Sequence, residues 1–242
     1  MTASRRREEP LYLNRFQLDG VDGVVVVIDV LRAFSTAAYA LGAGARTIHL
    51  VGGLEEAVEL GRSIPGALVV GEERGRKPPA FDLPNSPFIV SRADVAGRVL
   101  VLRTSSGTQG VMAAVDADRL FVAGLATASA TAAAVTDCGL GAPAYVLTGW
   151  LPDWAAEDDR ATAEHIEAVR TAESPDPVAA SEAVRASPEA FRTLEAGEGN
   201  MDPRDVDFAA DVDRFAFAME VRRIEGRLTI TTDPRASASS DP

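Results

Sequence analysis

Four short polar segments of the 242-residue sequence carry residue types suited to chemistry on charged molecules: IDVLRAFST, GEERGRKPPAFDLPNSP, LRTSSGTQG and GWLPDWAAEDD. The first three follow apolar runs (VVVVI, ALVVG and VLVLR) that read as buried strands. The residue after such a run arrives at the strand's carboxyl end, where open α/β sheets build their sites. Asp29 with Arg32, Glu72 with Arg74, and the turn Arg103-Thr104-Ser105-Ser106-Gly107-Thr108 are delivered in this way. Carboxylates are hard oxygen donors that suit magnesium, and arginine forks fit phosphate or sulfonate. A strand, a small polar turn and a helix start present free N–H groups to an anion. The combination suits a metal-dependent enzyme acting on a small, highly charged phosphate ester.

Each feature also has a plain structural role. Asp29 could cap the following helix, and Arg32 could pair with Asp29 itself. A carboxylate behind four valines is nevertheless costly to bury unless it meets a cation or good donors, which favours a site. Glu72, Glu73 and Arg74 also fit a solvated charged loop. Asn85-Ser86-Pro87 resembles a helix start with Ser86 as N-cap and Pro87 at the first helical position, a role compatible with ligand binding. The Thr104–Thr108 turn is not a Walker A loop, because the Gly-Lys-Ser/Thr ending is missing. Glu157, Asp158 and Asp159 read as acidic residues in a first helical turn. His49 sits inside an apolar strand and reads as a core histidine; His165 is a weak catalytic candidate. Trp150 and Trp154 suit packing at the domain edge, and Cys138 reads as an inert small residue.

The elements that must position these groups follow from periodicity. LYLNRFQL suits an edge strand. VVVVI, TIHLV, ALVVG, VLVLR, RLFVAG and PAYVLTG read as strands separated by helices at Ala33–Leu41, Leu54–Arg62, through Val111–Val115 and along ATASATAAAV. That β-α alternation predicts a three-layer α/β/α fold with a mostly parallel sheet. The turn-rich stretch Glu72–Pro87 is long enough to suggest function. Beyond it, Ala155–Thr171 and proline-punctuated short helices form a helical C-terminal elaboration. DRFAFAMEV and RLTI make a strand pair turning at Glu225-Gly226. The expected organisation is a mobile leader over residues 1–10, one domain over 11–232 and a disordered tail over 233–242.

Composition narrows the classes. With 46% hydrophobic and 25% charged residues the chain is ordinary globular material. A net charge of −12 argues against nucleic acid and acidic membranes. It does not argue against a small anion, since surface charge is screened over about 10 Å. One cysteine and two histidines exclude an internal disulfide, a cysteine-based zinc site and a histidine-rich metal site. No stretch approaches a membrane span, and the expected location is the cytoplasm.

Taken in order, IDVLRAFST, GEERG, FDLPNSP, TSSGT and the later Glu-Asp pair resemble the 2-phosphosulfolactate phosphatase family over roughly residues 22–220. The resemblance implies a three-layer α/β fold, magnesium dependence and a homodimer. It also implies hydrolysis of 2-phospho-3-sulfolactate to sulfolactate and phosphate, a step in coenzyme M synthesis. Carried onto this sequence, it marks Asp29 and Arg32, Glu72 and Arg74, Asn85 and Ser86, Thr104 through Thr108, and Glu157 with Asp158, without assigning their roles. On residue chemistry, the expected site has Asp29, Arg32, Glu72 and Arg74 as catalytic, Asn85, Ser86, Arg103, Thr104, Ser105, Ser106, Gly107 and Thr108 as phosphate-binding, and Asp29, Glu72, Glu157 and Asp158 as candidate Mg²⁺ ligands. Three segments depart from the family pattern: Pro84 stands for a glycine, Ser105-Ser106 replace Thr-Asn, and Gly75–Pro79 is altered. Losing the Asn amide changes the donor set. A phosphatase with a second aspartate two residues after the first is excluded by Leu31. Two rivals remain. A cysteine hydrolase would need an activated Cys138. A non-catalytic anion-binding protein could use the same scaffold.

Overall fold

The computed structural model describes residues 7–149, 156–195 and 200–232. Its strands are β1 (Leu11–Asn14), β2 (Val24–Ile28), β3 (Thr47–Leu50), β4 (Leu68–Gly71), β5 (Leu83–Pro84), β6 (Val99–Arg103), β7 (Arg119–Ala123), β8 (Ala144–Leu147), β9 (Met219–Ile224) and β10 (Arg227–Thr231). The helices are α1 (Ala33–Gly42), α2 (Leu54–Ser63), α3 (Pro87–Arg92), α4 (Gly107–Ala113), α5 (Ala128–Asp137), α6 (Glu157–Arg170), α7 (Pro177–Arg185), α8 (Pro188–Glu195) and α9 (Asp205–Ala209). Trp150, Trp154 and the 233–242 tail lie outside the described residues.

All ten strands join one sheet in the order β1-β8-β2-β7-β9-β10-β3-β6-β4-β5. β1 is an edge strand, as its loose alternation suggests. The pairings β1–β8, β8–β2 and β2–β7 are parallel, and so are β3–β6, β6–β4 and β4–β5. The antiparallel pairings all involve the β9–β10 hairpin, which stitches the two parallel halves together. Its turn takes positive φ at Glu225 (48°) and Gly226 (80°), the conformation that two-residue hairpin loops favour. The hairpin is therefore foreseeable from sequence, but its place in the middle of the sheet is not. Residues Met219–Val221 are buried against β7 and Leu228–Ile230 pair with β3. The strand begins at Met219, six residues later than the DRFAFAMEV pattern suggests.

The sheet curls. One face of both halves feeds a single core: Val25 and Val27 of β2 share it with Val70 of β4, Leu100 and Leu102 of β6, and Met219 and Val221 of β9. Phe34 of α1, Val90 of α3 and Val111 of α4 fill the concave side. On the convex side, Val24, Val26 and Ile28 pack against α5, α6 and α7. Val69 and Val101 pack with Ala57 of α2. β2 is thus buried on both faces, which accounts for its unbroken β-branched composition. Each of these valines contributes about 1.5–3 kcal/mol by leaving water. The curl also brings Arg15, next to the β1 edge, to the carbonyl of Ser105 beyond β6 (2.9 Å). Arg7, ahead of β1, bonds to the turn before β8. Its backbone carbonyl accepts from Ala142 N–H and its guanidinium donates to the carbonyls of Ala142 and Asp22.

Gly71 closes β4 at φ 142°, and a β-carbon there would stand 1.8 Å from the Arg103 carbonyl oxygen of the neighbouring strand. Gly71→Ala must therefore part β4 from β6 just before Glu72. The expected loss is on the order of 2–4 kcal/mol, read from the midpoint of urea unfolding; an unchanged midpoint would contradict this packing.

Candidate active site

Asp29 leaves the end of β2 and turns back over the start of α1. Its Oδ1 accepts the Ala33 N–H (3.0 Å) and its carbonyl accepts the Phe34 N–H (3.0 Å). The capping role and the strand-end placement therefore coexist. α4 packs closely against it. A β-carbon at Gly107 would lie 2.6 Å from Ala33 Cβ and 2.7 Å from Asp29 Oδ2, so only glycine lets the helix approach. Burial pushes the Asp29 carboxyl up to about 6, against the Ala33 N–H; the Glu72 charge adds to the rise and Arg32 opposes it.

The second half of the sheet supplies the opposite wall. Glu72 follows β4, and its Oε1 accepts the Ser105 N–H (2.5 Å). Its Oε2 accepts the Gly75 N–H (2.6 Å) and the Ser105 hydroxyl (3.1 Å). This carboxylate joins the loops after β4 and β6. Arg74, at φ 49°, donates its backbone N–H to Ser105 Oγ (2.8 Å). Arg103 turns away, donating to the carbonyls of Glu72 (2.9 Å) and Gly52 (3.2 Å). Thr104 and Thr108 bond each other: each hydroxyl accepts the other's backbone N–H (2.9 and 3.0 Å).

The third wall comes from α6 and α8. Asp159 Oδ1 accepts the Val30 N–H (2.9 Å) and Oδ2 accepts the Thr148 N–H (2.9 Å), which locks the ends of β2 and β8 together. Asp158 is buried, and its Oδ1 has no hydrogen-bond partner. Burial holds both carboxyls well above the ordinary range. The Glu189 charge and then Asp29 add to the rise at Asp158, and Asp158 and then Asp29 at Asp159. Asn85, also buried, has an Oδ1 without a partner.

These walls enclose a cavity of about 310 Å³. Of the sequence candidates, Asp29, Arg32, Glu72, Arg74, Asn85, Ser105, Ser106 and Asp158 line it. Glu157 does not: it is exposed, because the helical turn rotates neighbouring side chains apart, and Asp159 takes the inward place instead. Ser86, Arg103, Thr104, Gly107 and Thr108 stand behind the wall as structural supports. Ser86 caps α3 by accepting the Ile89 N–H (3.2 Å). Glu189, Arg192, Thr148 and Met201 line the cavity without having been singled out from sequence; no motif marks them. His165, on α6, is buried away from the cavity lining, and His49 bonds Thr229 (3.0 Å). Cys138 donates to the Ala134 carbonyl away from the cavity, its thiol pushed up by burial.

Five carboxylates (Asp29, Glu72, Asp158, Asp159, Glu189) and three arginines (Arg32, Arg74, Arg192) face this space. The carboxylates of this cavity outnumber its arginines. The donor chemistry fits a hard divalent ion that keeps several waters: Asp158 Oδ1 and Asn85 Oδ1 are buried and unsatisfied, and Asp29 lies among like charges. Glu72 and Asp159 are committed to N–H donors and serve better as supports. Among the described residues, no three His, Cys, Asp or Glu side chains form a ready-made metal cage.

The mostly parallel framework, with carboxylates and arginines gathered at its strand ends, defines an α/β protein with a charged cavity where such sheets build their sites. More specifically, the chain belongs to the 2-phosphosulfolactate phosphatase family of phosphoric monoester hydrolases, whose model matches residues 12–222. Similar proteins include a "Probable 2-phosphosulfolactate phosphatase" of Thermoplasma acidophilum, 30% identical over 208 residues, 86% of this chain and 89% of that protein. One of Bacillus subtilis is 35% identical over 164 residues, 66% of this chain and 68% of that protein. One of Thermus thermophilus is 43% identical over 110 residues, a little under half of either chain. No helix among the described residues is long and apolar enough to cross a membrane.

Buried acids raised in this way bind more protons folded than unfolded, so the ion-free protein loses stability as pH climbs from the unfolded carboxyl range toward the folded value, about 6 for Asp29. Asp158→Asn removes one such charge. The variant is expected to melt higher than the parent at pH 8 in chelator, with the advantage shrinking below pH 5. Equal melting at both pH values would contradict the charge crowding.

Proposed function

We propose that this chain is a Mg²⁺-dependent phosphatase that hydrolyses 2-phospho-3-sulfolactate to sulfolactate and phosphate. The observation that carries the reading is the convergence, in one cavity, of buried like-charged acids with three arginines. The relatives' names point to the substrate, and the cavity chemistry supports it: a phosphate, a sulfonate and a carboxylate would meet Arg32, Arg74 and Arg192. Asp29 and Asp158, with the Asn85 amide oxygen, would hold the ion. Bound there, Mg²⁺ supplies charge neutralisation at the phosphoryl oxygens and an ordered water. The protein's own groups do the rest. Arg32, buried at the cavity base, grips phosphate oxygens through its fixed fork. Arg74 rides on a loop that Ser105 pins by its hydroxyl, so its charge is held over the mouth. Arg192 on α8 faces them from the other wall and suits the anionic group that does not react. Water forms the new P–O bond, the ester P–O bond breaks, and the proton passes to the leaving alkoxide.

Phosphate release from 2-phosphosulfolactate and other phosphorylated hydroxy acids, with and without Mg²⁺, tests this. Magnesium-dependent release from the sulfonate is expected. Release only from another ester would replace the substrate, a possibility raised by Ser105 and Ser106 lining the cavity in place of Thr-Asn. Binding without turnover would favour an anion-binding protein. Asp29→Asn should lower kcat/KM by about 10²–10³-fold, whereas Cys138→Ala should leave it unchanged; the reverse pattern would restore the cysteine mechanism.

A further inference from the structure

Asp205, at the start of α9, is fully buried and does not line the cavity. Its carboxylate is saturated by four donors. Oδ1 accepts the Ser86 hydroxyl (2.6 Å) and the Phe88 N–H (3.1 Å). Oδ2 accepts the Asp202 N–H (2.9 Å) and Nη1 of Arg32 (3.2 Å). Arg32 is itself only 4% exposed. Its Nη1 also donates to the Asn200 carbonyl (3.4 Å), while the Asn200 side-chain oxygen accepts the Lys77 N–H (2.8 Å). The segment from Asn200 to Asp205 thus clasps one amino group of the guanidinium from behind. The guanidinium meets the cavity beside Asp29 and Glu72.

From this geometry we propose that Asp205 is a positioning residue: its carboxylate seats the Arg32 guanidinium so that the remainder of the fork faces the substrate's phosphate. The proposal rests on the phosphatase reading above. A free arginine side chain samples many rotamers, and a fork fixed before the ligand arrives loses less freedom on binding. Asp205 is suited to the task because Ser86 and two backbone N–H groups hold it from three other directions. The carboxylate acts on the ligand only through Arg32.

The test compares the full-length protein with Asp205→Asn, Arg32→Lys and the double variant. Melting temperature, affinity for inorganic phosphate by calorimetry, and kcat and KM on 2-phosphosulfolactate are read for each. Asp205→Asn is expected to weaken phosphate binding about 10–100-fold and to raise KM more than it lowers kcat. In the Arg32→Lys background it should add little, since the two act as one unit. A folded Asp205→Asn with parental phosphate affinity, or effects that multiply in the double variant, would overturn the proposal. If Asp205→Asn does not fold, Arg32→Ala decides: added guanidinium ion should restore phosphate binding by occupying the seat that Asp205 and Asn200 still form. No restoration would overturn it. Asp205-dependent phosphate binding without ester hydrolysis would leave the positioning role standing and remove the phosphatase reading. A parent protein that binds no phosphate would remove both.

Discussion

Asp29 and Glu72 face one cavity although their strands stand six places apart in the sheet. With strands about 4.8 Å apart, a flat sheet would separate them by roughly 29 Å. The curl that closes this gap is the constraint on which the site depends. It is enforced by a core shared between both parallel halves, and by the hairpin wedged between them. The Ser105 carbonyl accepting from Arg15 shows how nearly the far edge comes round. Without the curl the carboxylates and arginines of the two halves would not line one cavity.

Bringing acids together in a dry place is unfavourable on its own. The structure manages this by sorting the carboxylates. Glu72 and Asp159 receive backbone N–H groups and become braces between loops and strand ends. Asp205 takes four donors and holds Arg32. Asp158 keeps an unsatisfied oxygen and Asp29 lies among like charges, so the remaining demand for positive charge is concentrated in one place. Strand ends, glycine-permitted helix contact and buried braces all serve that concentration.

Much of this was legible in the sequence. The β-branched run before Asp29, the Gly71-Glu72 step and the Ser/Gly turn after β6 each mark a strand end, because buried parallel strands must be uniformly apolar. The edge strand and the Glu225-Gly226 turn were equally readable. Three things were not. The hairpin's central position depends on long-range pairing that no local pattern encodes. In α6, one residue of phase decides whether Glu157 or Asp159 faces inward, and three consecutive acids carry no phase. Asp205 sits in a run of charged residues whose composition suggests a surface, yet tertiary contacts bury it completely. Thr104, Thr108 and Ser86 read as ligand-facing from their motifs but are used by the backbone around them.

The central proposal is that the acids of this cavity would hold a divalent cation against which an anion binds. Calorimetric titration of Mg²⁺ into the parent protein and into Asp29→Asn/Asp158→Asn tests it most directly. A single site per chain in the parent, lost in the double variant while the variant stays folded, is the result the account predicts. Equal Mg²⁺ affinity in both proteins would contradict it.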